Sequence, residues 1–230
     1  MISQVYNMDC MEYMSTCKDK QFDLAIVDPP YGISQPAFRK GAMNKAAICK
    51  QYHNAVYKQD TPPMAYFTEL FRISKNQIIW GANYYNDVLP IGRKWIFWDK
   101  KTEATQWGDG ELAFTSFIGA IVKFEFAWNG MIQGNMKDKE VRIHPTQKPV
   151  ALYKWTLKNF AKEGDKILDT YLGSGSSRIA CYDEGFDFYA TEIDKTYFDD
   201  QEERFQRYLK QPKPLFTQKD LDTTSQNTLL

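Results

Sequence analysis

Residues 22–32 read FDLAIVDPPYG. An apolar run ends in a carboxylate (Asp28), two prolines that lack a backbone N–H (Pro29, Pro30), an aromatic ring (Tyr31) and a glycine. A second stretch, 167–181, reads ILDTYLGSGSSRIAC. Here a buried strand meets a Gly-Ser-Gly turn, and a helix follows. Gly173 and Gly175 allow tight backbone geometry and close approach by a ligand. The helix N-terminal amides then face the crevice at the strand ends, where open parallel sheets bind ligands. The next strand, in FDFYATEID, ends in Glu192. An acid at that place, about twenty residues past the glycine turn, is positioned to grip ribose hydroxyls. Together these features imply a nucleoside cofactor. They differ from the dinucleotide fingerprint, because Arg178 stands where the third glycine belongs, and there is no P-loop Gly-Lys-Ser/Thr.

These residues need elements to hold them. The chain has 230 residues, 43% of them hydrophobic, which is enough for the core of one domain. Short β-type runs alternate with helical patterns, so the expected class is α/β: a mostly parallel twisted sheet with helices on both faces. Strands are expected at 22–28, 76–81, 95–99, 118–127, 166–170 and 187–192. TPPMAYFTELFR predicts a helix capped by Thr61, with Met64, Phe67 and Phe71 on its apolar stripe. PVALYKWTLKNFA and DKTYFDDQEERFQRYL predict two more, the last starting at Asp194. Residues 1–210 form a single domain in this reading, and 211–230 a mobile polar tail.

Net charge is zero, yet Arg39, Lys40, Lys45 and Lys50 lie in an acid-free stretch between Gly32 and Asp60. Two readings stand level: a solvated surface, or a phosphate-attracting patch. Cys10, Cys17, Cys49 and Cys181 show no paired metal-ligand spacing, so no metal is expected. They read as reduced thiols of a cytoplasmic protein, with no leader and no apolar run of membrane-spanning length.

DPPYG at 28–32, HPTQKP at 144–149 and DTYLGSGSS at 169–177 resemble the amino-methyltransferases that modify exocyclic amines of DNA bases. The order of the motifs is similar to that family's β-class. The resemblance implies the Rossmann-like fold of methyltransferases that use S-adenosyl-L-methionine (SAM), with circularly permuted motifs. It implies double-stranded DNA as partner, and restriction-modification as setting. It leaves a homodimer open. The loops at 33–60 and 100–142 would face DNA or act as short target-recognition insertions, with Arg39, Lys40, Lys45 and Lys50 on phosphates.

By the same resemblance, Asp28 accepts a hydrogen bond from adenine N6, the Pro29 carbonyl accepts the other, and Tyr31 stacks on the flipped base. Asp169, Tyr171, Gly173, Ser174, Gly175, Ser176 and Ser177 shape the cofactor pocket, which Asp28 borders. Glu192 holds the ribose, Thr146 and Lys148 line the methionine end, and Asp9 with Cys10 meets the cofactor's adenine. Asp9 also begins a D-x-x-E capping box with Glu12. The glycine motif departs mildly from the family's, with Thr170 for proline and Tyr171 for phenylalanine. An N4-cytosine methyltransferase, which more often carries Ser at position 28, and a non-catalytic nucleic-acid-binding subunit are the alternatives.

The chemistry gives the proline pair a reason. Adenine N6 is a poor nucleophile because its lone pair is conjugated into the ring. Two acceptors can draw it toward a tetrahedral geometry, and Pro29 and Pro30 fix where the first carbonyl points. No Pro-Cys is present for a covalent thiol route.

Overall fold

The structure, a computed structural model, describes residues 1–32, 60–92, 94–102, 108–129 and 132–211. Arg39, Lys40, Lys45 and Lys50, most of the 33–60 segment and the tail from 212 lie outside the described residues.

An eight-stranded sheet runs through the molecule. In chain order its strands are β1 (Ser3–Tyr6), β2 (Phe22–Val27), β3 (Ser74–Trp80), β4 (Lys94–Asp99), β5 (Gly110–Thr115), β6 (Val122–Glu125), β9 (Lys166–Asp169) and β10 (Asp187–Thr191). A separate antiparallel pair joins β7 (Trp128–Asn129) to β8 (Ile132–Gln133). The spatial order is β1-β10-β9-β2-β3-β5-β4-β6. The pairs from β1 to β3 are all parallel, and β4 pairs β6 in parallel. Only β5 runs against its neighbours β3 and β4 among the described strands of this sheet.

Among the described residues, five α-helices cover both faces: α1 (Cys10–Thr16), α2 (Met64–Ile73), α3 (Val150–Phe160), α4 (Ser176–Glu184) and α5 (Lys195–Leu209). Side chains alternate across the central strands, so each strand feeds two cores. Leu24, Ile26, Ile78, Trp80 and Ile167 pack with Leu152 and Leu157 of α3 and Ala180 of α4. Ala25, Val27, Ile79 and Leu168 pack with Met14 of α1 and Phe67 and Leu70 of α2. Full burial of one such aliphatic side chain is worth ~1.5–3 kcal/mol. A one-residue slip of β2 would exchange both sets between faces, so the place where Asp28 emerges is pinned.

Three expectations need correction. The α2 N-cap is Pro63, with no side-chain cap, instead of Thr61. Prolines suit a helix start because the amides there have no intrahelical acceptor. Its buried face is Tyr66, Phe67, Leu70 and Ile73, while Met64 is 53% exposed. The strand expected at 118–127 begins only at Val122, because Gly119 takes φ +150° and Ile118 and Ile121 face solvent. The short β1 and the antiparallel β5 were not foreseen.

Candidate active site

β2 and β9 are parallel neighbours, with Leu24 opposite Ile167 and Ala25 opposite Leu168. Their carboxyl ends therefore emerge side by side, although residues 28 and 169 are far apart in the chain. From β9 the chain passes through α4 to β10; from β2 it reaches α2 and β3 on the other side. Neighbouring strands whose connections diverge leave a crevice at their carboxyl ends. The Asp28 motif and the glycine turn are its two rims.

On the first rim, Asp28 Oδ2 lies 2.5 Å from Lys148 Nζ, and Oδ1 accepts a hydrogen bond from the Tyr31 hydroxyl at 2.7 Å. The same ammonium lies 3.1 Å from Glu111 Oε2 and donates to the Tyr31 hydroxyl at 2.9 Å. Glu111 is also ion-paired with Lys100. Lys148 is almost sealed off, its side chain 4% exposed. Burial pushes the Asp28 carboxyl up, opposed by Lys148 and reinforced by Glu111. Burial also raises Glu111, but Lys148 and Lys100 together overcome it and hold that carboxyl at about 2.

The proline pair is held by one donor. The buried Tyr85 hydroxyl lies 2.7 Å from the Pro29 carbonyl and 2.8 Å from that of Pro30. The Tyr31 ring stacks on Tyr84, with centroids 5.0 Å apart and planes at 14°. It also lies against Gly81, where a Cβ would come 2.0 Å from Tyr31 Cε1 and where φ is +69°. Only glycine satisfies both demands.

On the second rim, Asp169 is the last residue of β9 and is 1% exposed. Its carboxylate accepts from Tyr171 N at 3.0 Å and Ser177 Oγ at 2.6 Å. Burial raises it to about 7, against those hydrogen bonds and with help from Asp28 and Glu192. Gly173 and Gly175 take φ +51° and +73°, and Gly175 caps α4 without a side-chain acceptor. Ser174 and Ser176 point inward: Arg204 Nη1 donates to the Ser174 carbonyl at 2.7 Å and to Ser176 Oγ at 3.0 Å.

Glu192 follows β10. Its two oxygens accept from Gly173 N at 2.8 Å and Asp194 N at 2.9 Å, so it braces the turn. Arg178, at the place of the absent third glycine, pairs with Glu202 of α5 at 2.5 Å.

Of the remaining motif residues, Cys10 and Lys148 reach residues of the two rims. Asp9 caps α1 through Met11 N and Glu12 N, as the capping-box reading expects of its side chain. Cys10 is buried beside Tyr171, and its thiol is raised to about 11 by burial. Thr146 Oγ1 lies 3.1 Å from Nδ1 of His144, whose ring is close to Gly173. The resemblance puts Lys148 at the methionine end; here its ammonium reaches Asp28.

Four residues at the first rim escaped sequence reasoning: Gly81, Tyr84, Tyr85 and Glu111. The WGANYYN run after β3 carries a glycine and paired tyrosines, which is a readable hint. Glu111 carries none, since an acid at the start of GELAFT reads as a solvent-facing strand residue.

Among the described residues there is no cluster able to hold a metal ion, and no helix long and apolar enough to cross a membrane.

The chain is 23% identical over 213 residues to the type II methyltransferase M2.MboI of Moraxella bovis, covering 76% of this chain and 77% of that one. It is 24% identical over 238 residues to the type II methyltransferase M2.DpnII of Streptococcus pneumoniae, covering 82% and 84%. Among solved structures, the SAM complex of M1.HpyAVI superposes with a TM-score of 0.54 at 19% identity, over 89% of this chain and 100% of that one. The cytosine-N4-specific PvuII DNA methyltransferase gives 0.58 at 11% identity, over 96% and 91%. The fold is thus that of SAM-dependent DNA methyltransferases. A family model of the N6/N4 type, described as DNA methylase, matches residues 71–203. More than half of the chain meets that description, and the protein belongs to the N6/N4 DNA methylase family.

Proposed function

We propose that this protein transfers a methyl group from SAM to the exocyclic N6 amine of an adenine flipped out of double-stranded DNA. The observation that carries the reading is the adjacency of Asp28-Pro29-Pro30-Tyr31 to the glycine turn across neighbouring strand ends.

The crevice has the right charge for the cofactor. Asp169 and Glu192 are both buried, and each is raised above its ordinary range, by burial first. Asp169 accepts only from a hydroxyl and a backbone amide, and Glu192 only from backbone amides, among the described residues. Buried carboxyls with no cationic side chain on them among the described residues suit a ligand that brings a sulfonium and an ammonium, because its positive charge favours their ionised form. The α4 amides, free of a side-chain cap, suit its carboxylate. In this assignment Asp9 and Cys10 border the cofactor's adenine, Thr146 and Lys148 its methionine end, and Tyr171 and Ser174 the floor. When bound, the cofactor supplies an electrophilic methyl.

The chain's own groups do the rest. Asp28 and the Pro29 carbonyl accept the two amine hydrogens and turn the nitrogen lone pair toward the second rim. Each acceptor has capacity left. A carboxylate takes about four hydrogen bonds and a carbonyl two, while Asp28 receives two and Pro29 one. Tyr31 offers the base a ring that Gly81 and Tyr84 hold in place. Stacking there offsets the few kcal/mol that flipping costs. Arg39, Lys40, Lys45 and Lys50 follow Tyr31 closely in the chain, and we assign them to the phosphates beside the target.

The test is transfer of a tritiated methyl group from SAM to unmethylated bacterial DNA, followed by nucleoside analysis. Wild type yields N6-methyladenine, and Asp28→Ala lowers the rate by about 100-fold or more, the scale of losing one preorganised polar group. Label in N4-methylcytosine would favour the cytosine alternative. Equal incorporation by Asp28→Ala would refute the role of Asp28.

A further inference from the structure

Both oxygens of Asp28 already carry a donor before any base arrives. Tyr31 occupies one carboxylate oxygen and Lys148 the other. While Lys148 stays there, the charge that should draw on the amine is spent on an ammonium 2.5 Å away. Moving a sealed ammonium off its only anion would be costly. Lys148 has a second anion, however. Glu111 Oε2 lies 3.1 Å from the same nitrogen, and Tyr31 supplies a third acceptor at 2.9 Å. Glu111 reaches in from β5, the strand that runs against its neighbours, and Lys100 holds its other oxygen from just past β4. Two carboxylates and two ammoniums thus form a charge-balanced set around the buried Lys148, its other members half-buried.

Resting on the function proposed above, we infer that Glu111 is a positioning residue of the methyl transfer: it takes over Lys148 when the target amine binds Asp28, so that Asp28 is released without stranding a buried cation. No bond is made or broken in this step. The ammonium keeps its three protons and shifts its shortest contact from Asp28 to Glu111. The carboxylate of Glu111, held at about 2 by Lys148 and Lys100 against burial, remains an anion throughout.

Single-turnover transfer from tritiated SAM to unmethylated DNA, measured across pH in Glu111→Gln, Glu111→Asp, Asp28→Ala and wild type, tests this. Glutamine preserves shape and removes the charge. Its plateau rate is expected to fall about tenfold, equivalent to ~1.4 kcal/mol of barrier, while calorimetric SAM affinity stays unchanged and reports an intact fold. The groups that face Asp28 are Lys148, Glu111 and Tyr31, with Asp169, Tyr85 and Tyr153 further off. Glu111 is one of the groups that raise Asp28. The acid limb is therefore expected to move to lower pH in Glu111→Gln even as the plateau drops. Glu111→Asp keeps the charge with a shorter reach and is expected to recover part of the rate; it carries the test alone if the glutamine variant does not fold. A plateau unchanged in Glu111→Gln, or an unmoved acid limb with no recovery in Glu111→Asp, would overturn the inference. Transfer that persists in Asp28→Ala would instead remove the functional reading on which it rests.

Discussion

At the scale of residues, the site is a set of donors with acceptors in reserve. Tyr85 shows this most simply. Its hydroxyl carries one proton and faces two carbonyls, at 2.7 Å on Pro29 and 2.8 Å on Pro30. If the target amine takes Pro29, the hydroxyl keeps a partner in Pro30. Prolines make this arrangement readable in both directions, because they offer carbonyls and no amides. Tyr85→Phe removes the proton and leaves the ring, which packs against Phe67 and Tyr31. Losing the hydrogen bond should cost about 1 kcal/mol, or roughly 2–4 °C in Tm for a chain of this size. Methyl transfer should slow more than that small loss of stability would suggest, because the Pro29 carbonyl loses its aim, while SAM affinity holds. Thermal melts beside single-turnover rates check both parts; a rate equal to wild type would show that the carbonyl is aimed by the proline rings alone.

At the scale of elements, the glycine turn and the HPTQKP segment meet with opposite pH demands. Asp169, at the end of β9, is pushed from 3.8 to about 7 by burial. Between those values the folded chain holds a proton that the unfolded chain has released. Its stabilising contribution is present at low pH and is lost as pH rises toward about 7. His144 behaves in reverse: burial lowers it from 6.5 to about 4, so its contribution is present above 6.5 and lost as pH falls toward about 4. The two slopes oppose each other in wild type. Asp169→Asn should therefore raise Tm mainly at the neutral end of this window, and His144→Asn mainly at the acid end, in a pH series of thermal melts. Parallel shifts in both variants would mean that these groups do not set the profile. The elements carrying these residues were legible because they are local. Apolar runs ended by an acid or a turn gave β2, β9 and β10 within one residue of their observed ends. The glycine turn and DPPY stood out for the same reason. What escaped was non-local. β5 sits between β3 and β4, out of chain order, and nothing in GELAFT shows that its glutamate will face a lysine from HPTQKP. The pairing of Lys148 with Asp28 spans two motifs and depends on the sheet order that joins them.

At the scale of the whole molecule, the crevice presents an electrostatic conflict to its substrate. Its rims carry Asp28, Asp169 and Glu192, and only Asp28 has a lysine on it among these three. That arrangement favours a cationic cofactor and repels a polyanion. The chain as a whole offers no remedy, since its net charge is zero. The remedy must be local, and the stretch from 33 to 59, with Arg39, Lys40, Lys45 and Lys50 and no acid, is the strongest candidate in the sequence. If these four residues sit on phosphates, each releases condensed counter-ions on binding, and each contributes about 0.9 to the slope of log affinity against log salt. Replacing all four by alanine should flatten that slope by roughly 3–4, weaken binding most at low salt, and leave SAM affinity as in wild type, because the cofactor answers to the carboxylates instead. Titrating a fluorescent duplex at several salt concentrations measures the slope directly. A quadruple variant with the slope of wild type would return the stretch to the reading of an ordinary solvated surface.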